Sequence, residues 1–351
     1  MSDTGAFPPP GSTPWSPPGT PPPPPPPPPA PAWQAPVAYA AHKPGAIPLR
    51  PLALGDLYNG AFKIIRVNPA ATVGSAALVS TVAMAIPLLL GGALVATFDV
   101  GTWFGSDLDE TEVLAEAGSL ATTLLGSLIQ SFGLIFVTGM VAQVVMAATV
   151  GQKLSLGGAW AATLGVRWRL VGLSLLLTAA YLLVSAAYVL LWFLVIVADE
   201  IALAVVWGVV TVPLFVCLLV WLYIRVYYFA AAVLVVERKG VLLSIRRGHY
   251  LTSKQFWRTF GIALLTTLIT GLAASVLSLP VTFLAVAMPF LVEGTVGMFL
   301  MLVLQSVGTV LASAFVAPFT SAVVTLQYVD QRIRKEAYDV ELLTRAGLPA
   351  T

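Results

Sequence analysis

RWRLVGLSLLLTAAYLLVSAAYVLLWFLVIVADEIALAVVWGVVTVPLFVCLLVWLYIRVYYFAAAVLVVERK, residues 167–239, decides the fold. Two apolar runs, Leu170–Ala198 and Ile201–Val236, meet at the acidic pair Asp199-Glu200. Arg167 and Arg169 flank one end, Arg238 and Lys239 the other, and Arg225 is the one cation inside. Each run exceeds the roughly 20 apolar residues that cross a bilayer. The stretch therefore reads as two spans joined by a short acidic turn.

Working outward, four more runs of this kind appear, at about residues 70–98, 120–150, 260–290 and 296–329. The surplus length predicts tilted helices or helices that continue past the bilayer as amphipathic turns. Pro87, Pro213, Pro280, Pro289 and Pro318 lie inside the runs, where neighbouring helices accommodate them as kinks. Asn68 and Pro69 fit the start of the first run, as a cap and a first-turn proline.

Whole-chain numbers agree. Apolar residues make up 58% of 351 positions and charged residues 10%, with mean hydropathy +0.89. Soluble chains carry about 25% charged residues, so lipid must solvate much of this one. The single cysteine, Cys217, excludes an internal disulfide framework.

The basic residues are completely asymmetric. Lys43, Arg50, Lys63 and Arg66 precede span one, and Lys153, Arg167 and Arg169 separate spans two and three. Six cations from Arg238 to Arg258 separate spans four and five, and Arg332, Arg334, Lys335 and Arg345 follow span six. The opposite loops carry only acids, among them Asp99, Asp107, Asp109, Glu110 and Glu293. The positive-inside rule predicts a multi-pass plasma-membrane protein with both termini cytoplasmic.

Residues 1–48 are dominated by proline, with an unbroken run Pro21–Pro29. This composition predicts a disordered tail or polyproline II rather than a packed core. No basic segment leads into an apolar core of signal-peptide type. The membrane domain is expected over residues 49–345, and residues 330–351 are expected to form a cytoplasmic tail.

Three segments stand in equivalent places before spans one, three and five: Leu54-Gly55-Asp56-Leu57-Tyr58, Leu156-Gly157-Gly158-Ala159-Trp160 and Leu243-Ser244-Ile245-Arg246-Arg247. In the first, Asp56, Asn59, Lys63 and Arg66 form a polar stripe opposite Leu54, Leu57, Tyr58, Ala61 and Ile65, the pattern of a helix lying in the membrane interface. The expected fold is an all-α integral membrane protein of six transmembrane helices, built as three repeats of interfacial amphipathic helix plus two-helix hairpin.

The chain resembles the family called glycerophosphoryl diester phosphodiesterase membrane domain over about residues 48–345. Ser244-Ile245-Arg246-Arg247, Leu251-Thr252 and Phe256-Trp257-Arg258-Thr259-Phe260-Gly261 are similar to that family's segment before the fifth span. Tyr328-Val329-Asp330-Gln331-Arg332-Ile333-Arg334-Lys335-Glu336 with Asp339-Val340-Glu341-Leu342-Leu343 is the more specific match. Arg50-Pro51-Leu52 before Leu54–Tyr58 resembles actinobacterial members with a proline-rich tail. The resemblance implies a multi-span domain that is fused elsewhere to a soluble phosphodiesterase barrel.

No catalytic, metal or cofactor constellation accompanies it. The two histidines are His42 in the tail and His249 in a basic loop, neither beside a carboxylate cluster. No P-loop, nucleophile elbow or HExxH motif occurs. The chain is therefore expected not to be an enzyme and to need no cofactor.

Candidate contacts to anionic headgroups or a partner are Arg246, Arg247, Lys254, Trp257 and Arg258, where cations interleave with aromatics. A topology signal alone would produce the same pattern. Arg225 is the candidate intramembrane polar residue, or else it snorkels or bonds a carbonyl beside Tyr227 and Tyr228. Gln130, Gln143 and Gln305 could line a path or bond neighbouring helices. Gly271 with Ser275, and Gly308 with Ala312, have the small-xxx-small spacing of close helix packing. The proline run could dock a protein partner or serve as a spacer. Nucleic acid is not an expected partner. The functions in view are a non-enzymatic scaffold or accessory factor for lipid or envelope processes, a transporter or lipid-handling channel, and the membrane partner of a separate phosphodiesterase.

Overall fold

A computed structural model describes residues 45–97, 110–197 and 200–345; side chains at 94–97 and 110–124 are not described. The expected tail, apart from its last residues, and most of the acidic loops lie outside these ranges.

Every regular element among the described residues is helical. A short helix α1 (Leu54–Val67) leads through a π-helical turn (Ala70–Gly74) into α2 (Ser75–Thr97), and α3 (Glu110–Thr149) returns. Then α4 (Leu156–Ala162) precedes the pair α5 (Arg167–Val197) and α6 (Ile201–Leu222). A second π-helical turn (Tyr223–Tyr227) carries α6 into α7 (Ala230–Glu237). Finally α8 (Val241–Thr252) precedes α9 (Phe256–Leu291) and α10 (Thr295–Glu336), and α11 (Tyr338–Arg345) follows. Six segments are long and apolar enough to cross a membrane, from Ala70–Ala93 to Thr295–Glu336. A short helix therefore precedes each of three span pairs, as the sequence predicts.

The centre of the bundle is α10. It packs against α1, α2, α3 and α9, and every residue from Ser321 to Gln331 is buried. A helix buried on all sides has no lipid or water face left, so its polar groups must find partners inside. The pair α5–α6 is the opposite case. Beyond Leu170, Leu173, Ser174 and Leu177, α5 buries nothing, and α6 buries no residue. Stacking of Tyr188 on Phe215 at 3.9 Å and a 3.1 Å hydrogen bond between Tyr188 and Thr211 hold the pair together.

The first short helix differs from expectation in where its apolar face turns. Leu57, Ala61 and Ile64 of α1 are buried in the protein core, while Leu54 is exposed. Tyr58 stacks on Phe319, and its hydroxyl meets Thr266 Oγ1 at 3.0 Å. The basic end of the bundle offers enough apolar surface to take this stripe, leaving Phe62 outward. Asp56 stabilises the start of α1 by accepting the Ala53 N–H at 3.1 Å. Asn68 does not cap span one by its side chain. It ends α1, and its Oδ1 accepts the Leu154 N–H at 3.3 Å, bridging to the segment before α4.

Packing reaches close to both ends of the described residues. Ala46, Ile47 and Leu49 are buried, and the Ala46 N–H reaches the Ala148 carbonyl at 2.9 Å. Packing therefore begins ahead of residue 48. At the other end α10 runs to Glu336, and α11 follows with Tyr338 and Leu342 buried, so residues 330–345 pack with the membrane domain expected over 49–345.

Candidate functional site

The spans enclose a partly open cavity of about 410 Å³ between α2, α3, α10 and the π turn Tyr223–Tyr227. Eleven of its lining residues carry a hydroxyl or amide, including Ser80, Gln130, Ser131, Thr138, Ser313 and Thr320, and none carries a charge. Two cross-helix contacts brace the wall: Gln130 Nε2 donates to Ser313 Oγ at 3.4 Å, and Thr138 meets Ser321 at 3.1 Å. Ser313 lies seventeen residues before Asp330, about 25 Å along the helix axis. It also stands near the middle of the 42-residue α10.

A π turn supplies part of the cavity wall. In a π turn successive side chains rotate by less than in an α-helix, and such turns concentrate at functional sites. Tyr223 and Tyr227 stack at 5.4 Å and line the cavity with Tyr228. Arg225, midway between them, is not among the lining residues. Its Nε and Nη1 are buried without a hydrogen-bond partner, so the expected carbonyl pairing is not made by those atoms.

The glutamines divide. Gln130 lines the cavity, Gln143 donates to the Val235 carbonyl at 3.2 Å, and Gln305 is exposed. Of the small-residue pairs, Gly308 sits against Val281 at the α9–α10 contact, whereas Gly271 faces open space.

Toward the basic end, a few carboxylates organise the helix termini. Asp330 is fully buried. It accepts the Leu52 N–H at 2.7 Å and Arg334 Nε at 2.9 Å, and it pairs with Arg258. Arg258 and Arg334 also donate to the Leu52 carbonyl, at 2.9 and 3.2 Å. Glu237, the last residue of α7, binds Lys239 at 2.6 Å, Arg247 at 3.2 Å and the Tyr328 hydroxyl at 2.9 Å. Glu336 binds Arg247 at 2.5 Å and Arg332 at 2.9 Å. Burial opposes the Arg247 charge, but Glu237 and Glu336 outweigh it and raise its pKa above the usual guanidinium value.

The five expected contact residues thus separate. Arg247 and Arg258 are held by internal carboxylates, while Arg246, Lys254 and Trp257 are exposed, Trp257 to 79%. Gly248 is buried on the face of α8 that packs against Phe229 and Ala230.

Sequence reading missed the hydroxyls of the cavity and the organising acids Asp330 and Glu237. Ser127, Gln130, Ser131 and Thr138 fall on one helical stripe of α3, a signal available within the apolar run. Asp330 and Glu237 could have been found as acids standing on the basic side of the charge asymmetry.

One buried bond can be tested directly. Tyr228 donates to Gln327 Oε1 at 2.8 Å, and Gln327 Nε2 has no partner. Tyr228→Phe is expected to cost about 1–3 kcal/mol, because it strands the whole amide. Thermal unfolding in detergent measures this, and an unchanged midpoint would show that the bond contributes nothing.

These features define a multi-pass α-helical membrane protein with an uncharged, largely apolar cavity between its spans. No family model, curated protein or solved structure matches the chain. Among the described residues no group of three or more His, Cys, Asp and Glu is placed to hold a metal ion.

Proposed function

We propose that this protein is a non-catalytic, lipid-handling membrane protein that takes a neutral, hydroxyl-bearing headgroup into the bilayer interior. The observation that carries the reading is the uncharged cavity of about 410 Å³ between the spans, whose mostly apolar wall carries hydroxyls and one amide, that of Gln130. Its size is that of small-molecule sites generally. Groups that both donate and accept suit a polyol or glycerol-type headgroup, and the lack of charge disfavours an ion. Binding sites near the bilayer midplane are characteristic of transporters. The gathering of cations at one end supports a plasma-membrane orientation with that end, and both termini, in the cytoplasm.

Filling the cavity tests this. Ser313→Phe, at a half-buried lining position, is expected to remove a co-purifying neutral lipid seen with the parent protein, by at least about tenfold in native mass spectrometry of nanodisc samples. Thermal unfolding of the same variant establishes that it folds. A pure scaffold or accessory role makes the opposite prediction, an identical lipid profile in both proteins, and that outcome would sink the reading.

A further inference from the structure

We propose that one face of α8 binds the phosphate of an anionic phospholipid. A recess of about 420 Å³ is lined by Lys239, Leu243, Arg246, Arg247 and Tyr250. The four α8 residues are spaced by three, one and three positions, so they share a helical face. Lys239 adds a cation just ahead of the helix, whose cap, Gly240, offers no side chain to its first-turn N–H groups.

The cations there are positioned but not neutralised. Arg247 is fixed between Glu237 and Glu336 and lies 5.6 Å from the Tyr250 ring centre. Glu237 is shared with Lys239, and Glu336 with Arg332. Glu341 also reaches Arg332, at 3.7 Å, but it is shared with Arg345. Three carboxylates therefore serve Lys239, Arg247, Arg332 and Arg345. Arg246 makes no hydrogen bond or ion pair with the described residues. The surplus is positive beside a site of measurable volume. A fixed guanidinium beside a free one suits phosphate, which arginine recognises through paired hydrogen bonds.

Leu243, exposed to 52%, lines the recess, and Leu242, its neighbour on α8, is exposed to 73%. Apolar side chains beside the cations fit acyl chains and give a soluble phosphate nothing to contact, so the occupant is a membrane lipid. This inference does not depend on the cavity between the spans.

The test uses the full chain in nanodiscs of phosphatidylcholine with added phosphatidylglycerol, reading bound lipid by native mass spectrometry. The parent protein should retain phosphatidylglycerol preferentially. Arg246→Gln should weaken that retention about tenfold, the effect of one charge-assisted hydrogen bond, and Lys239→Gln should weaken it in the same direction. Arg66→Gln, removing an exposed cation on α1, should leave it unchanged. Equal losses in all three variants would overturn the site in favour of diffuse surface charge. Thermal stabilisation by inorganic phosphate equal to that by phosphatidylglycerol would overturn the lipid as occupant.

Discussion

Asp330→Ala is expected to destabilise the protein by about 3–5 kcal/mol, the range for breaking a buried ion pair from one side. The side chain is fully buried, and it serves two arginines and the Leu52 N–H at once. Without it, Arg258 and Arg334 keep only the Leu52 carbonyl as a described partner at this site. Two part-buried cations would then face each other around one neutral acceptor. Thermal unfolding in detergent should show a large drop in midpoint, and Asp330→Asn should recover little, because an amide returns no charge. A midpoint within a degree or two of the parent would mean that the arginines swing to solvent at no cost.

Gly297→Val should be the next most damaging change, at about 3 kcal/mol by overpacking. Gly297 is in the first turn of α10, and a Cβ there would overlap the Val292 carbonyl oxygen and lie 3.1 Å from the Pro289 Cα. Both obstacles are backbone, so no rotamer change relieves them. The turn joining α9 to α10 would have to open, separating the two helices at one end. Gly297→Ala should show the same defect more mildly. Equal stability of the valine variant and the parent would rule out this turn geometry.

The spans were legible because their signal is additive: twenty or more apolar residues speak together, and flanking cations mark their ends. The short helices before α2, α5 and α9 were legible from their place and stripe. Their contact partners were not, because an apolar stripe fits a protein surface as well as it fits lipid. For α1 the protein surface won, as buried Leu57 and Ile64 show. The π turn at Tyr223–Tyr227 left no trace in composition, although the four-residue spacing that puts Tyr223 and Tyr227 on one face and Arg225 on the other is ordinary helical spacing. Attention to rare charges inside a span therefore chose Arg225 and passed over Ser313 and Thr320, ordinary hydroxyls whose weight comes from sharing a cavity. The contact residues failed to stay together for a related reason. Sequence shows that Arg246 and Arg247 are adjacent, but only the fold shows that Glu237 and Glu336 hold one and leave the other free.

The anchoring of Leu52 also has a mechanical meaning. Any tension pulling on the chain ahead of residue 45 meets the bundle first at the Ala46–Ala148 hydrogen bond and then, past buried Ile47 and Leu49, at Asp330, Arg258 and Arg334. Load applied at the amino-terminal side would thus be shared by the end of α3, the first turn of α9 and the last turns of α10, far along the sequence from where the force is applied.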